Sequence, residues 1–252
     1  LGSDIIVTQG TTVNVTNCTL KGYCMYYGNH ITGTLNIMAD TVAFVDYPIS
    51  GFSPAVLNIH AGHFAIAQGW RAGDNIYTAN INIMGGFFTR DPSFAILPAN
   101  SGYGVIGVSE TLAETTFTYK VVPKGEITNR ARVTTPGGAT ADYATLQAAL
   151  NACTGGETVT MLASEEITSQ LSIDVSVEID LANLSIKRTS GDFILVGYGG
   201  SACTATFRNG NIIGATELSS CFKPWNSSVI NVTNCFVTGS CGVYSTTGGT
   251  VN

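Results

Sequence analysis

Charged side chains are scarce in this chain of 252 residues. Asp, Glu, Lys and Arg make up 11% of it, with 11 basic and 17 acidic residues and a formal net charge of -6. Helical proteins usually cover their exposed faces with these residues, so their scarcity argues against a mainly helical fold. The chain also lacks a basic cluster that would bind phosphates, and we expect neither nucleic acid nor an anionic membrane as a partner.

Long apolar runs are absent as well. No stretch approaches the roughly 20 residues that a membrane-spanning helix needs, so we expect no membrane insertion. The first residues, LGSDIIVTQG, contain neither the charged nor the apolar region of a secretion signal, and we interpret the chain as a mature or excised segment. What the chain has instead is 29 glycines and abundant Ser, Thr and Asn. These residues suit strands and turns and predict an all-β protein.

A short pattern, an Asn between two apolar residues, recurs along the chain. Its asparagines lie at Asn14, Asn36, Asn58, Asn82, Asn231 and Asn252. The first four are 22, 22 and 24 residues apart and the last two are 21 apart, which is the length of one solenoid coil. Alternation of apolar and polar residues is typical of a strand with one buried face. The pattern predicts that the asparagines stack from coil to coil as ladders of hydrogen-bonded amides.

A second repeat is longer and more specific. The pentapeptide NVTNC occurs at 14–18 and again at 231–235, a constant offset of 217 residues. Three further identities follow in the same register, at Gly22/Gly239, Cys24/Cys241 and Tyr27/Tyr244. One coil cannot produce so long an offset. We interpret the chain as parts of two copies of a larger unit, cut from a tandem array.

One helix is predicted between these repeats. In ADYATLQAALNACTGG the apolar residues Leu146, Ala149, Leu150 and Cys153 share one helical face, two glycines end the run, and Asp142 or Thr145 is the candidate N-cap. The segment 171–181 then alternates strictly between apolar and polar residues, as a half-buried strand does.

These residues carry a family resemblance. The run from Thr145 to Lys187 resembles the opening of right-handed parallel β-helices in bacterial surface proteins, where an amphipathic helix covers the first coil. Residues 81–105 and 116–122 look like the closing segment of such repeats. The resemblance implies an all-β, pectate-lyase-like fold, namely a right-handed parallel β-helix with coils of about 22 residues and one short capping helix near residues 142–153.

The closing segment precedes the opening segment in this chain, which reverses the order within one such repeat. We therefore predict that residues 1–122 are the closing half of one β-helix unit. Residues 139–252 would be the opening half of the next unit, and residues 123–138 the linker between them.

Candidate catalytic groups are few. Asp174, Glu178 and Asp180 share a strand face by parity, and we interpret them as a solvated face, with Lys187 and Arg188 the nearest cations in sequence. His60 and His63, in HAGH, lack a nearby Cys or carboxylate that would complete a metal site.

The sequence GYGVIG at 102–107 matches the G-x-G-x-x-G fingerprint of phosphate-binding loops. That motif requires a strand before it and a helix after it. Neither flank has that pattern, so we predict a loop of the closing segment.

The seven cysteines leave two interpretations open. Cys18 and Cys24 have the same spacing as Cys235 and Cys241 and correspond to them across the long repeat. They are either local disulfides that fasten a coil, or buried thiols stacked inside the solenoid, which we favour.

The sequence predicts a structural protein and not an enzyme. We expect no catalytic residue, no metal and no cofactor, and a location outside the cell or at its surface as a stalk, fibre or adhesin. The expected partners are other copies of the chain, stacked head to tail into a filament, with surface polysaccharide as a further candidate. One alternative is a carbohydrate-active β-helix enzyme with convergent carboxylates. Another is a carbohydrate-binding module that uses exposed aromatic residues such as Tyr26, Tyr27, Trp70 and Trp225.

Overall fold

The computed structural model of the chain is a nearly all-β protein. It describes residues 5, 7, 10–27, 33–50, 56–68, 71–72, 80–92, 102–188, 190–214, 218–238, 243 and 248–252. Most of their strands stack in parallel as coils of a β-solenoid, about eight turns in all, and there is one short helix among the described residues, which confirms the predicted parallel β-helix.

The chain divides into two compact units, Leu1–Glu126 and Ile127–Asn252, which we call unit 1 and unit 2. The boundary falls within the predicted linker 123–138, and a strand at Ala131–Thr134 inside that range belongs to unit 2 and pairs on both of its sides. Residues 131–134 form a strand because buried apolar residues alternate with more exposed polar ones. Ala131 and Val133 are buried, and their burial holds this segment in the sheet.

Unit 1 consists of parallel coils followed by a hairpin. Its strands are β1 (Thr12–Val15), β2 (Thr19–Tyr27), β3 (Thr34–Ile37), β4 (Val42–Ser50), β5 (Val56–Ile59), β6 (His63–Ile66), β7 (Arg71–Ala72), β8 (Asn80–Ile83), β9 (Gly86–Phe88), β10 (Tyr103–Leu112) and β11 (Thr115–Pro123). One sheet has the order β1-β3-β5-β8 and the other the order β10-β11-β9-β6-β4-β2.

The core of unit 1 is built from columns of apolar residues. Leu35 and Leu57 lie in register on neighbouring strands and are fully buried, as is the stacked ring pair of Phe64 and Phe88. The alternating pattern puts every second residue of these strands inside.

An antiparallel hairpin closes one end of unit 1. Strand β11 pairs antiparallel with β9, the last parallel strand of its sheet, and β10 pairs with β11. The segment GYGVIG lies at the start of this hairpin, mostly within β10. The loop predicted there is therefore a strand, because its residues pair antiparallel with β11 and Val105 is fully buried. No helix follows it, and the phosphate-binding interpretation fails on that ground.

Unit 2 begins with a hairpin and a helix and continues in parallel coils. Its elements are β12 (Ala131–Thr134), β13 (Thr140–Tyr143), α1 (Leu146–Ala152), β14 (Thr158–Met161), β15 (Glu165–Glu166), β16 (Leu171–Ile173), β17 (Val177–Asp180), β18 (Ser185–Arg188), β19 (Gly191–Val196), β20 (Thr204–Gly214), β21 (Leu218–Pro224), β22 (Val229–Thr238) and β23 (Thr250–Val251). The parallel path β14-β17-β20-β22-β23 runs through the larger sheet, and β16-β19-β21 form the smaller one.

The start of unit 2 is closed in two ways. Strand β12 pairs antiparallel with β14 and with β13. Helix α1 lies within the predicted range 142–153, and Thr145 is its N-cap, accepting a hydrogen bond from the backbone of Ala148. The amide of Gln147 donates to Ser172 O at 3.0 Å and accepts from Ser172 N at 2.8 Å. It therefore occupies the backbone groups of β16 as a neighbouring strand would.

Coil length differs between the units. Equivalent residues of successive coils are 22, 22 and 24 apart in unit 1, whereas the separations in unit 2 include 28, 25 and 21. The predicted coil of about 22 residues therefore describes unit 1, and unit 2 accommodates longer connections between its strands.

Candidate functional site

The four predicted asparagines of unit 1 form one column. Asn14, Asn36, Asn58 and Asn82 lie in register on β1, β3, β5 and β8. Each Nδ2 donates to the Oδ1 of the preceding coil, at 2.7 Å from Asn36 to Asn14 and at 2.8 Å for the two later pairs. The donors all point toward the start of the chain, so the column has a direction.

Asn231 lies in a second column, in unit 2. Its Nδ2 donates to Thr206 Oγ1 at 3.3 Å, and its Oδ1 accepts from Asn252 Nδ2 at 2.9 Å. This column has the same direction as the first, because each later coil donates to the earlier one. The last side chain of the column, Asn252, follows β23 directly.

The two copies of NVTNC have the same local structure. Asn14 and Asn231 each occupy a ladder position, while Asn17 and Asn234 both have left-handed backbones, with φ of 47° and 51°. Asparagine tolerates this conformation, which lies between β1 and β2 at Asn17 and within β22 at Asn234. The 217-residue offset therefore relates equivalent coils of the two units.

The cysteines of these coils are thiols where the structure describes them. Cys18 and Cys235 are both half-exposed and form no disulfide, and Cys24 is buried. The disulfide alternative does not hold for Cys18 with Cys24, and Cys241 lies outside the described residues. Elsewhere, burial raises the pKa of Cys153 to about 11 and raises that of Cys203. A protonated thiol is a poor nucleophile.

Apolar side chains are exposed on the coils that contain the repeat. Val13, on β1, is 36% exposed, whereas Leu35, one coil further in along the same column, is fully buried. At the other coil Val237 is 36% exposed, whereas Ile212, its partner in register, is fully buried. Phe236, which precedes Val237, is 55% exposed. Each unit thus has one end at which its apolar core meets solvent.

The acidic cluster is an ion-pair network. Arg208 Nη2 lies 2.7 Å from a carboxylate oxygen of Glu178 and 3.0 Å from one of Asp180. Asp174 accepts a hydrogen bond from Gly199 N at 2.7 Å and is not part of this pairing. Sequence inspection named Lys187 and Arg188 as the nearest cations and missed Arg208, which the next coil brings opposite Asp180.

The two histidines do not converge. His60 is exposed, and the half-buried ring of His63 stacks on Phe87 with centroids 4.7 Å apart. Burial lowers the pKa of His63, so the ring is neutral at pH 7.

One aromatic pair lies on the surface of unit 2. Tyr198 is 59% exposed and meets Trp225 edge to face at 5.3 Å. Lys223 lies 5.6 Å from the centre of the Trp225 ring and pairs with Asp192 at 2.9 Å. Of the aromatic residues named from the sequence, Trp70 and the side chains of Tyr26 and Tyr27 lie outside what the structure describes. Tyr198 was missed, since a lone tyrosine among glycines has no sequence signature.

Within the described residues, no group of three or more His, Cys, Asp or Glu side chains is arranged to hold a metal ion. The same residues include no helix long and apolar enough to cross a membrane. In comparisons with known proteins, the chain matches no family model, no curated protein and no solved structure.

Proposed function

We propose that the chain is a structural module of an extracellular tandem-repeat protein, serving as part of a stalk, fibre or adhesin at a cell surface. It combines the closing half of one β-solenoid, unit 1, with the opening half of the next, unit 2. The resemblance to repeats of bacterial surface proteins supports the location. The module itself performs no catalysis.

The arrangement of closed and open ends carries this proposal. Unit 1 is closed by the β10–β11 hairpin, after its last coil, and unit 2 is closed by β12, β13 and α1, before its first coil. The opposite end of each unit exposes apolar side chains of an end coil. Those two end coils share the NVTNC sequence and its backbone conformation. Joined at this shared coil, the opening half and the closing half make one solenoid with both ends closed.

A rearranged chain tests the proposal. It consists of residues 127–252 followed directly by residues 37–126, so that Asn252 precedes Ile37 as Asn36 does in the native order. Because Asn252 and Asn36 each donate to the asparagine of the preceding coil, the Asn231 column should continue into Asn58 and Asn82. We expect a cooperatively folded monomer.

The matched control contains the same residues in their native order, 37–252. We expect the rearranged chain to have the higher melting temperature by several degrees, since it buries the apolar end of unit 2 and leaves no open coil. Circular dichroism and calorimetry measure both chains. If the rearranged chain is unfolded, or less stable than the control, the two halves are not parts of one repeated solenoid.

The surface pair of Tyr198 and Trp225 favours a second candidate function, carbohydrate binding. An exposed aromatic ring beside charged groups is the kind of surface on which a sugar ring stacks while its hydroxyls reach Lys223 or Asp192. Titration with soluble polysaccharides and their oligosaccharides, comparing Tyr198→Ala with Tyr103→Ala as a matched control, tests this candidate. A loss of binding confined to Tyr198→Ala supports it, and no binding by the native chain eliminates it.

A further inference from the structure

The chain contains a single Asn-Gly dipeptide, Asn209-Gly210, in the middle of β20. In such a pair the amide nitrogen of the glycine can attack the Cγ carbon of the asparagine, because glycine has no Cβ to hinder the approach. The attack closes a five-membered imide and releases ammonia. Water then opens the imide to aspartate or to isoaspartate. The change therefore needs water and no oxidant, reductant or enzyme.

The fold requires a glycine at this reactive position. Gly210 is buried, and a Cβ added to it would clash with Leu181 Cβ and lie 2.6 Å from Leu184 O. Any larger residue would push these neighbours away from β20. The preceding residue is constrained as well, since the backbone of Asn209 is left-handed with φ of 57°, a conformation that asparagine tolerates. Close stacking of the coils thus keeps a reactive dipeptide inside the sheet.

Hydrogen bonds occupy both reacting groups in the folded chain. Asn209 Nδ2 donates to Asp180 Oδ1 at 3.3 Å, and Asn209 Oδ1 accepts from Asn234 Nδ2 at 2.9 Å. The backbone of Gly210 forms a hydrogen bond with the thiol of Cys235. Ring closure has to turn the carboxamide of Asn209 until its Cγ meets the Gly210 nitrogen, which breaks these bonds. The dipeptide is therefore held in an unreactive arrangement while the neighbouring coils stay stacked on it.

The charges around residue 209 oppose a carboxylate at that position. Glu178 and Asp180 already share the cation Arg208, at 2.7 Å and 3.0 Å. Conversion of Asn209 removes its Nδ2 donor and adds a carboxylate within hydrogen-bond distance of Asp180. Like charges so close repel each other. The product therefore fits the native stacking of these coils less well than asparagine does.

We infer that Asn209 is a latent modification site, which stays intact while β20 and β22 are paired and converts to aspartate or isoaspartate when β22 separates from β20. Strand β22 controls the reaction because it supplies Asn234 and Cys235, one partner for each reacting group. The new carboxylate then opposes the return of the native contacts, so a transient opening of the coil becomes permanent. The inference uses contacts within unit 2 alone and is independent of the proposed function.

Peptide mass spectrometry after incubation at mildly alkaline pH measures the reaction. It identifies the peptide that contains residue 209 and distinguishes aspartate from isoaspartate. We expect the folded native chain to convert at residue 209 at least about tenfold more slowly than the same chain unfolded in guanidinium chloride, because only the opened fraction of the folded chain reacts. Equal rates in the two states, or no conversion at residue 209 in the unfolded chain, would overturn the inference.

Asn234→Gly tests the control by β22. Glycine accepts the left-handed backbone at this position, where φ is 51°, and the substitution removes the donor to Asn209. We expect conversion at residue 209 in the folded chain to accelerate about fivefold, the factor that corresponds to one hydrogen bond. The matched control is Asn17→Gly, at the equivalent position of the other NVTNC copy, where φ is 47°. It should leave the rate unchanged, and equal rates in the two variants would contradict the control by β22.

Asn209→Asp reproduces one product and tests whether it opposes refolding of the coil. We expect this variant to melt several degrees below the native chain at neutral pH, because its carboxylate meets that of Asp180. Combining Asn209→Asp with Asp180→Asn exchanges the two side chains and restores an amide beside a carboxylate. The double variant should therefore lose less stability than the sum of the two single variants. A native melting temperature for Asn209→Asp would overturn the claim that the modification makes the opening permanent.

Discussion

Asparagine serves two purposes in this chain at the level of single residues. On the strands, Asn14, Asn36 and Asn58 pair their amides from coil to coil, each bond joining a donor and an acceptor of the same residue type. Within β20 and β22, Asn209 and Asn234 adopt a left-handed backbone, with φ of 57° and 51°, and Asn234 Nδ2 donates to Asn209 Oδ1 at 2.9 Å. Asparagine combines a stackable amide with tolerance of positive φ, so it suits both positions.

Gly197 illustrates a position where only glycine fits. Its φ is +75°, and a Cβ there would lie 2.0 Å from Ser228 Oγ and 3.0 Å from Trp225 O. We expect Gly197→Ala to lower the free energy of unfolding by about 3 kcal/mol, combining backbone strain with overpacking. Urea denaturation measures the loss. The control is Gly125→Ala, where no atom lies within 4 Å of the added Cβ and the change should stay within about 0.5 kcal/mol. Similar losses in both variants would refute the steric explanation.

Glu157 makes the stability of unit 2 depend on pH. Hydrogen bonds from the Thr154 hydroxyl and from the backbone of Thr154 and Gly155 lower the pKa of Glu157 from 4.5 to about 2. A lowered pKa in the folded state gives stability that is complete above the unfolded pKa and is lost as pH falls from about 4.5 to about 2.

We expect Glu157→Gln to flatten the pH dependence of the melting temperature in that interval. The control, Glu114→Gln, changes an exposed carboxylate at the tip of the β10–β11 hairpin and should leave the dependence as it is in the native chain. An unchanged slope in Glu157→Gln would mean that this carboxylate does not link folding to protons.

At the level of the elements, the closed end of unit 2 depends on a side chain that imitates a strand. Gln147 pairs with both backbone groups of Ser172 on β16. We expect Gln147→Ala to reduce the free energy of unfolding by about 2 kcal/mol, the contribution of two partly buried hydrogen bonds. Thermal denaturation tests this.

Two further variants separate the contact of Gln147 with β16 from its contact with Asn151. Gln147→Glu keeps only the acceptor for Ser172 N and should lose more than half as much stability as Gln147→Ala. Asn151→Ala removes the exposed acceptor that Gln147 uses on the same helix, and we expect a loss below about 0.5 kcal/mol. If Asn151→Ala is as damaging as Gln147→Ala, the contact with β16 is not what stabilises this end.

At the level of the whole molecule, the proposed structural function predicts that the chain has no activity on polysaccharides. Arg208 forms ion pairs with both Glu178 and Asp180, and the ring of His63 stacks on Phe87. We expect the chain to release no oligosaccharide from acidic or neutral polysaccharides, measured by reducing-end assay and mass spectrometry. Reproducible release that is abolished by Asp180→Asn and retained in Asp46→Asn would overturn the structural assignment.

Local pattern in the sequence was enough to determine the parallel solenoid, the Asn14 column and the capping helix with Thr145 as a candidate N-cap. Each depends on residues within one coil or on a constant spacing between coils, which a reader of the sequence can count. The tertiary structure alone decided how Arg208 reaches Asp180, that residues 131–134 form a strand of unit 2, and that Gln147 covers β16. The coils of unit 2 differ in length, from 28 residues to 20, so residues that meet across coils have no fixed separation in sequence. Their pairing is set by hydrogen bonding and packing between whole strands, which become defined only when the coils stack.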